Sequence, residues 1–189
     1  MDTVGTAHLI NGVNAALGLD RFNRSNSALD LSNGYYQAPN GTYFNGPFTI
    51  AAWYCPKTLK NLTRILDFGI SSTCSPYVAF AINDQKAYVR IQNNSTNTWY
   101  TTSNLDLITL NWAHLAATFD GKSLKFYQNG IQSSTTVNAG IPLNVIRISN
   151  YIGKNCQNQE NLNGILDEVR IYNRSLNQTE IFELASLDL

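Results

Sequence analysis

The chain has 189 residues with 13 Lys or Arg and 13 Asp or Glu, so its formal net charge is zero and only 14% of it is charged, against roughly 25% in an ordinary globular domain. Asn, Gln, Ser and Thr number 24, 8, 14 and 16, which makes the surface polar but nearly uncharged. No window gathers the Lys and Arg that phosphate binding needs, and no apolar run approaches the roughly 20 residues of a bilayer span. The 43% hydrophobic and 11% aromatic residues are enough for a buried core, so one soluble domain over residues 1–189, binding neither nucleic acid nor membrane, is expected.

Met1-Asp2-Thr3-Val4 has neither the basic nor the apolar stretch of a signal peptide. Short β-branched and aromatic runs between turn residues then predict strands over Ala28–Leu31, Tyr35–Ala38, Phe48–Cys55, Thr63–Phe68, Tyr77–Ile82, Ala87–Gln92, Trp99–Thr102, Trp112–Phe119, Leu124–Gln128, Ile131–Thr136, Val145–Ile152 and Ile165–Tyr172. Twelve strands suit two stacked antiparallel sheets. Asp120-Gly121 and Asn129-Gly130 predict primed hairpin turns, because both dipeptides tolerate positive φ. At the carboxyl end Asn177 and Glu180 have capping-box spacing, and Leu176 and Ile181 form a hydrophobic staple for a short helix over Gln178–Ala185. No repeat, linker or low-complexity tract divides the chain.

Several residues invite a chemical reading. Strand alternation places Ile165, Asp167, Val169 and Ile171 on one face, so the more apolar face of that strand carries a carboxylate, which is costly when buried unless it is paired, hydrogen-bonded or metal-bound. An ion pair with an Arg such as Arg21, or bonds from backbone amides, would satisfy it. Trp53 and Trp112 lie within strand patterns and read as packing residues. Trp99 and Tyr100 follow the polar loop Asn93-Asn94-Ser95-Thr96-Asn97-Thr98 and offer rings on which a sugar could stack at a rim. The two histidines, His8 and His114, form no metal-binding spacing. A Gly-x-Ser-x-Gly motif is absent, and Asp167 and Glu168 point to opposite faces, so no carboxylate pair is arranged for hydrolysis. Asn-x-Ser/Thr sequons begin at Asn23, Asn40, Asn61, Asn93, Asn94, Asn173 and Asn177. Asn40, Asn61 and Asn94, in predicted loops and turns, are the better acceptors, and they favour an extracellular or cell-surface setting within a larger protein.

The ordered motifs Phe48-Thr49-Ile50-Ala51-Ala52-Trp53, then Trp112 to Gly121, then Leu124 to Gly130, then Tyr151-Ile152-Gly153-Lys154, and the closing run Asn163 to Leu176 resemble a laminin-G-like jelly roll of the concanavalin A-like superfamily. The chain is more distantly similar to pentraxins. The resemblance implies an all-β, two-sheet antiparallel jelly-roll sandwich with a short C-terminal helix.

It also implies possible sites. One structural Ca²⁺ at Asp167, completed by backbone carbonyls, is an alternative to the ion pair. Pentraxins bind two Ca²⁺ on loops that correspond here to Ile70–Pro76 and Gly153–Gly164, but Glu160 is the acid remaining among Asn155, Gln157, Asn158, Gln159 and Asn161. The same loops carry Cys74 and Cys156, which the family geometry brings together as a disulfide. Cys55 is then a free, partly buried thiol; pairing of Cys55 with Cys156, or three reduced thiols, are the alternatives. Tyr77 and Tyr151 flank these loops and, with Asn155, join Trp99 and Tyr100 as candidate ligand contacts.

Such domains serve as recognition or adhesion modules. A neutral, amide-rich surface points to a neutral glycan rather than an acidic ligand. A protein–protein or structural spacer module of a larger surface protein is the alternative, and an accessory domain of a glycoside hydrolase, or a degenerate one, stands third. No enzymatic activity is expected.

Overall fold

The computed structural model describes residues 8–71, 74–157 and 160–186. Twelve strands and one helix follow one another as β1 (Ile10–Gly18), β2 (Ala28–Gln37), β3 (Phe48–Pro56), β4 (Thr63–Gly69), β5 (Tyr77–Asn83), β6 (Lys86–Gln92), β7 (Thr98–Thr102), β8 (Ala113–Phe119), β9 (Leu124–Gln128), β10 (Ile131–Thr136), β11 (Ser149–Ile152), β12 (Leu162–Tyr172) and α1 (Gln178–Ser186). They form one sheet in the order β10-β9-β8-β3-β12-β2-β11-β4-β5-β6-β7, with β1 paired to β2.

That sheet folds back on itself as a jelly-roll sandwich. β2 is the bend: Leu29 to Gly34 pair with β12, while Tyr36 and Gln37 pair with β11. The first layer is β10-β9-β8-β3-β12 and the second β11-β4-β5-β6-β7. Phe80 of β5 and Phe126 of β9 meet across the interior with ring centroids 5.7 Å apart. The edges β7 and β10 are stitched by hydroxyls: Thr101 Oγ1 lies 2.6 Å from Ser134 Oγ, and Thr136 Oγ1 donates to the Tyr100 carbonyl at 2.7 Å. One core, from Leu31 and Phe44 through Ile50, Phe68, Val89 and Leu115 to Leu166, fills the space between the layers. Burying such side chains is the main term favouring the fold, about 25 cal/mol per Å² of apolar surface.

Local rules are visible in the connections. Asn129 (φ 51°) and Gly130 (φ 79°) make the two-residue turn between β9 and β10 that needs positive φ at both positions. The Asp120-Gly121 turn differs from the primed form: the loop runs through Ser123, with Asp120 Oδ1 accepting from the amides of Lys122 and Ser123 at 2.9 and 2.6 Å. Asp120 supplies an Asx turn there. The Asn177 amide donates to Glu180 Oε2 at 2.8 Å and the Glu180 amide to Asn177 Oδ1 at 3.0 Å, and Leu176 and Ile181 are buried together under α1.

Four expectations about the strands change. β1 has no counterpart among the predicted strands. Ala28–Leu31 and Tyr35–Ala38 are one continuous strand, and the strand expected from Val145 begins at Ser149. The alternation assigned to the closing strand is interrupted by a bulge between Asp167 and Arg170, with Glu168 at φ 51°. An extra residue shifts every later side chain to the other face. Leu166, Val169 and Ile171 therefore pack on the core, and Asp167, opposite Trp53, stands on the outer face instead of among them.

Candidate functional site

The outer face of the second layer is built by ladder pairing. Residues directly opposite on neighbouring strands share a face, so Tyr151, Asp67, Ala79, Arg90 and Tyr100 form one row across β11, β4, β5, β6 and β7. Arg64, Ala81, Tyr88 and Thr102 make a second row, and Gly69, Tyr77, Gln92 and Thr98 a third. The small residues in the middle strands form a floor over which the tyrosines and arginines lie. The Arg90 guanidinium sits 5.7 Å from the Tyr77 ring centre and that of Arg64 5.9 Å from Tyr88. Tyr100 is 62% exposed. An exposed ring such as that of Tyr100 presents the flat apolar surface, with a polar edge, on which sugars stack, whereas Tyr77 and Tyr88 are nearly buried.

Asp67 is sunk beneath this surface, 2% exposed. Its Oδ2 accepts from Arg64 Nε at 3.3 Å. Burial pushes the carboxyl up to about 7, against the downward pull of Arg64. One end of the face is tied by a disulfide between Cys74 and Cys156, with Cα atoms 5.6 Å apart and a sequence separation of 82. These cysteines pack with Tyr77, Ala79 and Tyr151. Tyr151 also meets Tyr35 edge-on at 5.8 Å, and Lys154 Nζ lies 4.5 Å above Tyr35 and 5.1 Å above Tyr151.

The outer face of the first layer has a different character. Arg21 Nη1 donates to Asp167 Oδ2 at 2.6 Å, and the Glu168 amide donates to Asp167 Oδ1 at 2.8 Å. Burial raises the Asp167 carboxyl and Arg21 opposes the rise. Arg170 is ion-paired with Glu168. The Trp53 and His114 rings meet edge-on at 5.3 Å, and Arg21 lies 4.9 Å over Trp53. Burial, reinforced by the positive charges of Arg21 and Arg170, lowers His114 to about 4, so it is a neutral packing residue at physiological pH. A shallow cleft lined by Arg21, Ala51, His114, Glu168, Arg170 and Leu184 is left between these residues and α1.

Of the residues singled out from the sequence, Tyr77, Tyr100 and Tyr151 converge on the second-layer face. Trp99 does not. It stands opposite Ile91 in the ladder, packs against the core, and rests on Gly140, where an added Cβ would lie 2.3 Å from its ring. Asn155 is 1% exposed and so is not a rim residue. Asp167 does not fit a Ca²⁺: both its oxygens accept from donors, and a guanidinium occupies the position a cation would need. Among the described residues no group of three or more His, Cys, Asp or Glu is arranged to hold a metal. Glu160 pairs with Lys60 at 2.8 Å. Cys55 is free and buried, and burial raises its thiol. Asn40, Asn61 and Asn94 are all exposed. Asp67, Arg64, Tyr88 and Arg90 were not singled out, although Tyr88-x-Arg90-x-Gln92 carries the signal of the last two as polar or aromatic residues alternating with apolar ones; Arg64 and Asp67 share a face only through a register shift between Arg64 and Leu66.

The folded-back sheet with a polar-aromatic outer face defines a jelly-roll module. Residues 30–182 match the model of the concanavalin A-like lectin/glucanases superfamily. The chain belongs to this family, in agreement with the laminin-G-like motifs. No curated protein matches the chain.

Among solved structures it is similar to domain 4 of AbnA, an extracellular GH43 arabinanase from Geobacillus stearothermophilus solved in complex with arabinotriose, at 20% identity and TM-score 0.76, covering 96% of this chain and 82% of that one. The binding domain of botulinum neurotoxin DC, in complex with SialylT, aligns at 16% identity and TM-score 0.72 over 98% of this chain, which spans 48% of that domain. A SAP-like pentraxin from Limulus polyphemus aligns at 16% identity and TM-score 0.61, covering 79% of this chain and 72% of that one. At these identities the likeness is one of fold.

Proposed function

We propose that this chain is a non-catalytic, lectin-like recognition module that binds a glycan on the outer face of the second layer. One observation carries the reading: the exposed Tyr100 and the half-buried Arg90 and Tyr151 stand in one row of a single sheet face, which crosses the buried Ala79. Stacking on tyrosines and hydrogen bonds from guanidinium groups are the contacts that hold sugar rings. Fold relatives solved with arabinotriose and with SialylT support the class of ligand, although fold alone does not assign one. The disulfide and the three exposed sequons support an extracellular setting. The runner-up is a protein-binding module, favoured by β1, a sheet-edge strand whose Ile10, Val13 and Leu17 are 49%, 43% and 57% exposed.

A glycan array followed by titration calorimetry tests the proposal. The expected result is saturable binding that Tyr100→Ala weakens about tenfold or more, in line with the 1 to 2 kcal/mol typical of a lost aromatic contact. Binding that Tyr100→Ala and Tyr88→Ala leave unchanged would remove this face from consideration.

A further inference from the structure

The chain is neutral overall, but its charge is not evenly spent. The strands of the second layer, β11, β4, β5, β6 and β7, contain one acid, Asp67, and three cations, Arg64, Lys86 and Arg90. Asp67 is engaged by Arg64, and Lys86 Nζ lies 2.9 Å from Asp106. Arg90 is left over. Its Nε is buried without a hydrogen-bond partner, it makes no ion pair with a described residue, and its guanidinium rests on Tyr77.

The contrast with the other six arginines is informative. Arg21, Arg24, Arg64, Arg170 and Arg174 each meet a carboxylate, and Arg147 donates to the carbonyls of Phe68, Pro76 and Leu143. An arginine held on an aromatic ring with its fork unused is a preorganised receptor for a planar anion, because a guanidinium presents paired donors that match a carboxylate. Its neighbours are those expected around an acidic sugar. Tyr100, directly across the ladder, is exposed for stacking, and Gln92, two residues along β6, shares the face.

We infer that Arg90 receives the carboxylate of an acidic sugar residue, so that this face takes a uronate- or sialate-bearing glycan in place of the neutral glycan that the whole-chain composition suggests. The inference rests on the glycan-binding reading above and adds the charge of the ligand.

Matched pairs test it: oligogalacturonate against its methyl ester, and sialyllactose against lactose, titrated calorimetrically into the wild type, Arg90→Gln and Tyr100→Ala after each variant is shown to melt as the wild type does. For at least one pair the acid member should bind about tenfold tighter than its neutral partner, and Arg90→Gln should erase that preference. An acid that never outbinds its neutral partner, including a panel without any binding, overturns the inference. If both members bind equally and Tyr100→Ala abolishes both, the face stands and the carboxylate falls. If binding survives both variants, the face itself is wrong.

Discussion

On the outer face of the first layer Arg21 meets Asp167 and Arg170 meets Glu168, while α1 covers Ala51, Ala116 and Tyr127. Among the described residues, no helix lies over the strands of the second layer's outer face, Arg90 is paired with no acid, and Tyr100 stands open. The same residue types thus do opposite work. Where each charge has its counter-charge and apolar neighbours are capped by a helix, the surface contributes to stability. Where a cation lacks a described counter-charge and an aromatic ring is exposed, the surface is not arranged for stability alone.

The comparison can be sharpened by perturbing each face in turn. The largest effect belongs to the clamp at the end of the second face. Replacing Cys74 and Cys156 by Ala opens the loop closed by cysteines 82 positions apart, for which the chain-entropy relation gives about 4.5 kcal/mol of destabilisation, read in denaturant unfolding. Next is Arg21→Ala, which strands the buried Asp167 carboxylate and is expected to cost about 3 kcal/mol. Arg90→Gln, which breaks no pair, should stay within about 0.5 kcal/mol of the wild type. Equal losses for the two arginine variants would erase the distinction between the faces.

The faces should also differ in the sign of their pH response. Asp67 has a folded value of about 7, above its ordinary 3.8, so the native state holds a proton the unfolded chain releases, and stability falls as pH rises from about 4 to 7. His114 is lowered from 6.5 to about 4, so the unfolded chain takes up a proton the native state refuses, and stability falls as pH drops from about 6.5 to 4. The two trends oppose one another. Asp67→Asn removes one of them and should change the stability difference between pH 8 and pH 5 by about 2 kcal/mol, making the variant relatively weaker at pH 5. Coincident pH profiles for variant and wild type would contradict this. A loss smaller than that of Arg21→Ala is expected at the helix that covers the first face: Asn177→Ala removes the cap and should lower stability by about 1 kcal/mol.

How much of this was legible follows from where each signal resides. The Asn129-Gly130 turn and the Asn177–Glu180 box are local, since a few adjacent residues determine them. The family motifs fixed the order of strands and with it the approach of the loops that carry Cys74 and Cys156. β1 was invisible because Ile10 to Gly18 lacks alternation: Asn11 and Asn14 have positive φ, and two register shifts interrupt its pairing with β2. The bulge at Asp167 was invisible for a related reason. Nothing in Leu166-Asp167-Glu168-Val169 marks Glu168 as the residue without an opposite number; the register of β3 decides it. The second-layer face was half legible. Tyr77, Tyr100 and Tyr151 could be named one at a time, but the isolation of Arg90 is a property of its neighbours, which come from strands far apart in sequence. Trp99 fell one position from Tyr100, and in a strand one position is the difference between two sides.

The alternation of β5 and β6 has a consequence for how this molecule can diversify. Val78, Phe80, Ile82, Val89 and Ile91 are buried in the core, while Tyr77, Ala79, Ala81, Tyr88 and Arg90 face the other way. Two alphabets are interleaved in one stretch of chain, one written for the interior and one for the exterior. The outward letters are not all equally free: Ala79 and Ala81 are as buried as the inward ones, so variation without disturbing the packing is confined to the more open positions, Arg90 and, across the ladder from it, Tyr100.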